Sequence, residues 1–179
     1  AKAETACLVL PVYKGSDLLP AVAKLDDASE RLIGQLLERG DFDAVLGNTQ
    51  LVPFAPGLGA DRILLVGLGE RDKCQEAAFI KALDAAMTAL TKLPIDEACA
   101  TFTDVPLADR DAAWKARKTL EAVERAIYRF DQFKSSPAKA PSLAKLTLIV
   151  SDADDAPLAK QGAALGTAIG QGINFTRTL

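Results

Sequence analysis

The sequence predicts an α/β domain of three layers, a mixed and mostly parallel sheet between helices. Two observations predict it. Strand-like and helix-like segments alternate along the 179 residues, and the strand-like ones are unbroken apolar runs, the pattern of strands buried on both faces. Chain length agrees, since a domain of this size buries roughly 70% of the surface its unfolded chain exposes. No convincing linker divides the chain, so residues 1–179 are expected to form one domain.

Ala6–Val12 is short, apolar and bounded by Lys14-Gly15, which predicts a buried strand. Ser16 is placed to cap a helix in which Leu18, Val22, Leu25, Leu32, Ile33, Leu36 and Leu37 recur at helical spacing until Gly40 stops it. Thr49–Phe54 is a weaker strand, interrupted by Pro53, and Arg62–Val66 is the clearest one, closed by Gly67-Leu68-Gly69. Glu76–Leu93 reads as an amphipathic helix ended by Pro94, and Glu97–Phe102 as a fourth strand. From Asp111 to Phe133 apolar residues fall at three- and four-residue steps, predicting the longest helix. Lys134–Ser142 is a loop by its prolines and serines, and Leu146–Val150 a further buried strand. The last segment puts Leu158, Gly162, Leu165, Ile169, Ile173 and Thr176 on one helical face. Its stripe runs to Leu179 without a stop signal and the chain starts at Ala1, so both ends are expected to be trimmed.

Composition narrows the chemistry. With 49% hydrophobic and 25% charged residues the chain has an ordinary globular mix. No apolar run approaches the roughly 20 residues that cross a bilayer, and no secretory leader is apparent. Three widely spaced cysteines, Cys7, Cys74 and Cys99, fit a reducing compartment, so the expected location is the cytoplasm, with no membrane partner. The sequence has no histidine, which removes Ser-His-Asp and Cys-His nucleophile systems, HExxH zinc sites and histidine general bases.

Four features remain as candidates. Gly67-Leu68-Gly69 follows a strand, as a dinucleotide fingerprint would, but Asp72 stands where the third glycine belongs, so a tight turn is the better reading. Asp152, Asp154 and Asp155 resemble the start of a calcium loop, yet Ala156, Pro157 and Ala163 occupy positions that need an oxygen donor, glycine and glutamate; helix capping ahead of Pro157 fits better. Cys74, beside Arg71 and Lys73, is in a setting that lowers a thiol pKa, whereas Cys7 and Cys99 are expected to be core residues. Between Arg110 and Lys145 nine basic residues face four acidic ones in a chain of net charge −3. Lys115, Arg117 and Lys118 are therefore the candidate phosphate contacts, against the plainer reading of a solvated helix face with pairs such as Glu121–Arg125.

Several segments together resemble the N-terminal domain of the leucyl aminopeptidase (peptidase M17) family. They are Leu19-Pro20 after the first strand, Leu36-Leu37-Glu38-Arg39-Gly40-Asp41-Phe42, and Asp61-Arg62-Ile63-Leu64-Leu65-Val66-Gly67-Leu68-Gly69. Tyr128-Arg129-Phe130-Asp131-Gln132-Phe133-Lys134 and Gly172-Ile173-Asn174-Phe175-Thr176-Arg177-Thr178-Leu179 complete the set, and this last pair is the most specific. The resemblance implies a macro-domain-like fold and a parent enzyme that releases N-terminal residues from peptides with two divalent metal ions, manganese or zinc. Their ligands are implied to lie in a C-terminal catalytic domain, to which residues 156–179 would lead. No catalytic, cofactor or metal position is carried onto this sequence, and no cofactor is expected in it. The implied partners are that catalytic domain, a homo-hexamer and peptide substrates. The implied role is assembly and active-site access; the alternatives are a DNA-binding regulatory domain and a macro-type nucleotide-binding module.

Overall fold

The computed structural model describes residues 4–15, 18–130 and 140–179. In chain order the elements are β1 (Leu8–Val12), α1 (Pro20–Ala28), α2 (Leu32–Glu38), β2 (Thr49–Val52), β3 (Ile63–Gly67), α3 (Glu76–Leu90), β4 (Glu97–Ala100), α4 (Ala112–Ile127), β5 (Lys145–Leu148) and α5 (Ala156–Thr178). The five strands form one sheet in the order β2-β3-β1-β4-β5. β1 runs parallel to both β3 and β4, β5 runs parallel to β4, and only β2 is antiparallel to its neighbour. The mixed, mostly parallel sheet read from the apolar runs is thus present.

Every residue of β1 and β3 is buried. Because successive strand residues point to opposite faces, this requires cover on both sides of the sheet. α1 lies against β1, and α3 against β3 and β2. The core joins strand residues such as Val9, Leu10 and Leu65 to Phe79, Leu83 and Met87 of α3. Phe79 meets Phe102 edge-on at 5.9 Å and Trp114 of α4 at 5.8 Å, so one aromatic side chain links the sheet crest to two helices.

Most element boundaries differ from the sequence expectation by a residue or two. The helix expected from Asp111 to Phe133 ends at Ile127, because Tyr128 turns to extended backbone and the Arg129 guanidinium donates to the carbonyls of Ala126 and Tyr128. The capping role of Ser16 and most of the 134–142 loop lie outside the described residues.

Two differences are larger. The single helix expected up to Gly40 is broken at Ser29–Arg31, where Glu30 and Arg31 adopt φ of 57° and 62°. Asp26, itself buried, explains the break: its carboxylate accepts from the backbone N–H of Ile33 at 2.7 Å and of Gly34 at 3.1 Å. It thereby satisfies the first turn of α2, as a capping side chain would from a neighbouring position. A Cβ on Gly34 would stand 2.9 Å from Asp26 Oδ2, so glycine lets the carboxylate approach.

The second difference is the face on which α5 sits. It packs on α4 through Ala159, Gly162, Gly166 and Gly170, while Leu158, Leu165 and Ile173 of the expected stripe are exposed. A Cβ at Gly162 would lie 2.0 Å from the Ala113 carbonyl oxygen, and one at Gly166 would lie 2.3 Å from that of Arg117. Only hydrogen fits there.

Candidate functional site

α4 begins with Asp111, whose side chain accepts from Trp114 N at 2.8 Å. It carries the three candidate phosphate contacts, but does not present them as an open stripe. Lys115 is only 8% exposed, and its ammonium donates to the Val105 carbonyl at 3.2 Å. Burial lowers its pKa. Lys118 pairs with the buried Glu121 at 2.7 Å, and Arg117 approaches the same carboxylate at 3.5 Å. The expected Glu121–Arg125 pair does not form; Arg125 instead reaches across to Asp84 of α3 at 2.6 Å. Arg110 binds Glu76 at 2.7 Å and lies over the Trp114 ring. Among the described residues, Arg110, Arg117, Lys118 and Arg125 are therefore spent on ties to α3 and to Glu121, while Lys134 and Lys139 lie outside the described residues. Sequence spacing missed this because α4 is covered a second time, by α5.

The Gly67-Leu68-Gly69 turn offers no amide to a phosphate. Gly67 N donates to Asn48, Leu68 N to Val12 and Gly69 N to Ala44, all through backbone carbonyls. A Cβ at Gly67 would sit 2.1 Å from the Val45 carbonyl oxygen. These glycines pack the 44–48 loop onto the strand end, as the tight-turn reading requires.

Cys74 corrects another expectation. It is buried, and desolvation raises its thiol pKa rather than lowering it, although a hydrogen bond with Tyr13 acts the other way. Of its basic neighbours, Arg71 lies over the Tyr13 ring and Lys73 pairs with Glu70. Cys7, just before β1, and Cys99 of β4 are buried core residues, as expected. Burial pushes the Cys7 thiol up from an ordinary 9.0 to about 12, and the Tyr13 phenol upward as well.

A pKa higher in the folded than in the unfolded chain gives stability that is complete below the unfolded value and is lost as pH rises toward the folded one. Urea denaturation between pH 9 and 12 should therefore show stability falling by on the order of 1 kcal/mol per pH unit. Cys7→Ala should flatten that slope; a profile unchanged by the substitution would contradict the assignment to Cys7.

Asp152 accepts from Asp154 N at 3.0 Å and caps the short 3-10 turn Ala153–Asp155 that leads into α5. α5 itself starts at Ala156-Pro157, and Asp155 makes no side-chain cap. Among the described residues no three histidine, cysteine, aspartate or glutamate side chains converge on a common point that could hold a metal ion. These side chains do not fit a metal centre.

The two most specific sequence segments meet in space. Asn174 donates to the Glu124 carbonyl at 2.9 Å, Tyr128 Oη lies 3.2 Å from Thr178 Oγ1, and the Arg177 guanidinium stands 5.1 Å from the centre of the Tyr128 ring. These contacts fasten the last turns of α5 to the end of α4. Between the locking residues Asn174 and Arg177, Phe175 is 67% exposed. The candidate functional surface is this distal end of α5. Periodicity missed it because its apolar residues point outward.

The fold is that of a macro-like α/β domain. The macrodomain of Mycobacterium tuberculosis DarG superposes with a TM-score of 0.58 at 13% identity, over 84% of this chain and 92% of that one. The family model described as "Cytosol aminopeptidase family, N-terminal domain" matches residues 9–137, and the chain belongs to that family. A probable cytosol aminopeptidase of Chromohalobacter salexigens is 68% identical over the whole chain, which covers 35% of that protein. This chain therefore spans about a third of the length of such a relative. Two solved structures share the fold at low identity. The bottromycin maturation enzyme BotP in complex with Mn has a TM-score of 0.68 at 20% identity, over 98% of this chain and 31% of its own. A tomato leucine aminopeptidase mutant has a TM-score of 0.72 at 18%, over 95% and 34%. No described helix is long and apolar enough to cross a membrane.

Proposed function

We propose that this chain is the non-catalytic N-terminal domain of a cytoplasmic, metal-dependent leucyl aminopeptidase, shaping its assembly and the access to its active sites. The observation that carries the reading is α5, whose distal end is fastened to α4 by Asn174, Arg177 and Thr178 while Leu158, Leu165 and Ile173 stand exposed along one face. Exposed apolar side chains grouped on a rigidly held element are a signature of protein–protein contact. The partner proposed for them is the enzyme's own C-terminal catalytic domain, within a homo-hexamer that takes peptide substrates. Two manganese or zinc ions would be held by that domain; residues 156–179 would be the helix leading to it.

DNA binding through Lys115, Arg117 and Lys118, and nucleotide binding at the 67–69 turn, draw less support. The cations are buried or paired and the turn's amides are already bonded.

Leucine-amide hydrolysis tests the proposal. The 179-residue chain should show none with added manganese or zinc, whereas the longer protein, extended to the length of its relatives, should be active. Turnover by the purified chain alone would overturn the reading.

A further inference from the structure

A cleft of about 360 Å³ opens between α1, the 57–60 loop and the sheet face formed by β1, β4 and the residues that follow β4 and β5. That volume lies within the range of small-molecule sites, about 300–1,000 Å³. The proposed assembly and access role makes no use of it. The apolar wall is aliphatic: Leu8, Leu25, Leu58 and Ile149 contribute the large side chains. The loop wall is held in place, since Gly57 has φ +75° and a Cβ there would lie 2.0 Å from the Ala28 carbonyl oxygen. A cleft framed by packed backbone is largely preformed, which lowers the ordering cost of binding.

Its polar groups are few and differ in state. Thr5 Oγ1 donates to the Cys7 carbonyl and Ser151 Oγ to Asp104, so both hydroxyls are engaged. Thr101 is not. It is 1% exposed, and its Oγ1 has no hydrogen-bond partner among the described residues. A buried hydroxyl left in this condition costs stability, and a ligand oxygen would relieve it. Lys24 is the single cation of the lining and has no ion pair among the described residues; the lining holds no carboxylate and no aromatic ring. One free cation, one unpaired hydroxyl and aliphatic walls match an anionic oxygen head on an alkyl tail. They do not match an ammonium, which would need an acceptor, or a flat base, which would need a stacking ring.

We infer that this cleft binds a small aliphatic monocarboxylate, with the carboxylate at Lys24 and Thr101 and the tail along Leu25, Leu58 and Ile149. Three probes sharing one tail and differing in the head test it: octanoate, 2-aminooctanoate and octan-1-ol, titrated into the chain and followed by amide NMR shifts and calorimetry. Octanoate should bind with shifts centred on Lys24, Cys99, Thr101 and Ile149. Octan-1-ol, which loses the charge-assisted hydrogen bond, and 2-aminooctanoate, which brings an ammonium with no acceptor, should each be weaker by about tenfold. Lys24→Gln, at an exposed side chain, should cost octanoate about tenfold. Thr101→Val, an isosteric change, should weaken octanoate while leaving the melting temperature equal or higher, which a merely structural role for the hydroxyl would not produce. Equal binding of octanol, shifts centred elsewhere, or no octanoate binding at roughly 10 mM would overturn the inference.

Discussion

Gly162→Val is expected to detach α5 from α4 while leaving the sheet folded. The wild-type contact places the Ala113 carbonyl oxygen 2.0 Å from where a Cβ would stand, so any side chain must move one helix backbone away from the other. Overpacking of this kind costs about 1–3 kcal/mol, and a branched side chain against backbone should reach the upper end. For a chain of this length each kcal/mol lowers the melting temperature by about 2–4 °C. Hydrogen exchange gives the sharper readout: amides of α5 should lose protection, and those of β1 and β3 should keep it. Gly172→Ala is the control, because nothing lies within 4 Å of its added Cβ. It should be neutral or stabilising by about 0.5–1 kcal/mol. Equal melting temperatures for Gly162→Val and the wild type would sink the packing argument.

Asp26→Ala should be comparably costly, for a different reason. Its carboxylate satisfies the N–H groups of Ile33 and Gly34 in a place where water cannot replace it. Removing it leaves two buried donors unpaired, at about 1–3 kcal/mol for each group stranded in this way. A loss of about 3 kcal/mol in urea denaturation is expected, concentrated in the α1–α2 turn. Asp26→Asn keeps one acceptor oxygen and should lose less. Destabilisation by alanine below about 0.5 kcal/mol, the range of ordinary surface changes, would show that the turn stands without its cap.

The same two sites mark the limit of what the residues reveal before folding. Val9, Leu10 and Ile63–Val66 announce buried strands because a doubly covered strand needs apolar side chains on both faces, and that demand is local. The break at Ser29–Arg31 is not local. Leu25 and Leu32 keep helical spacing across it, and the interruption depends on a carboxylate reaching N–H groups seven and eight residues away.

Lys115 misled for a related reason. A lysine next to Ala116 and Arg117 suggests a wet face, and the packing of α4 against the Phe102–Asp104 turn makes it an interior donor to Val105. The orientation of α5 was illegible because large apolar side chains normally mark the buried stripe; here the close approach of two backbones selects glycine for it. The candidate surface was half-visible. Tyr128 and Asn174–Thr178 stood out as sequence segments, but their meeting is a product of the fold.

The glycine seam of α5 also sets its position as teeth set a ratchet. Gly162, Gly166 and Gly170 recur every four residues, one per turn, each against α4. Sliding α5 by one residue would bring Gln161, Leu165 and Ile169 to places where only a hydrogen atom fits, so no intermediate setting exists. A helix of 23 residues is about 34 Å long. Held in a single notch, it works as a ruler of fixed zero: whatever engages Ile173 or Phe175 receives its distance and bearing from the sheet without a hinge in between.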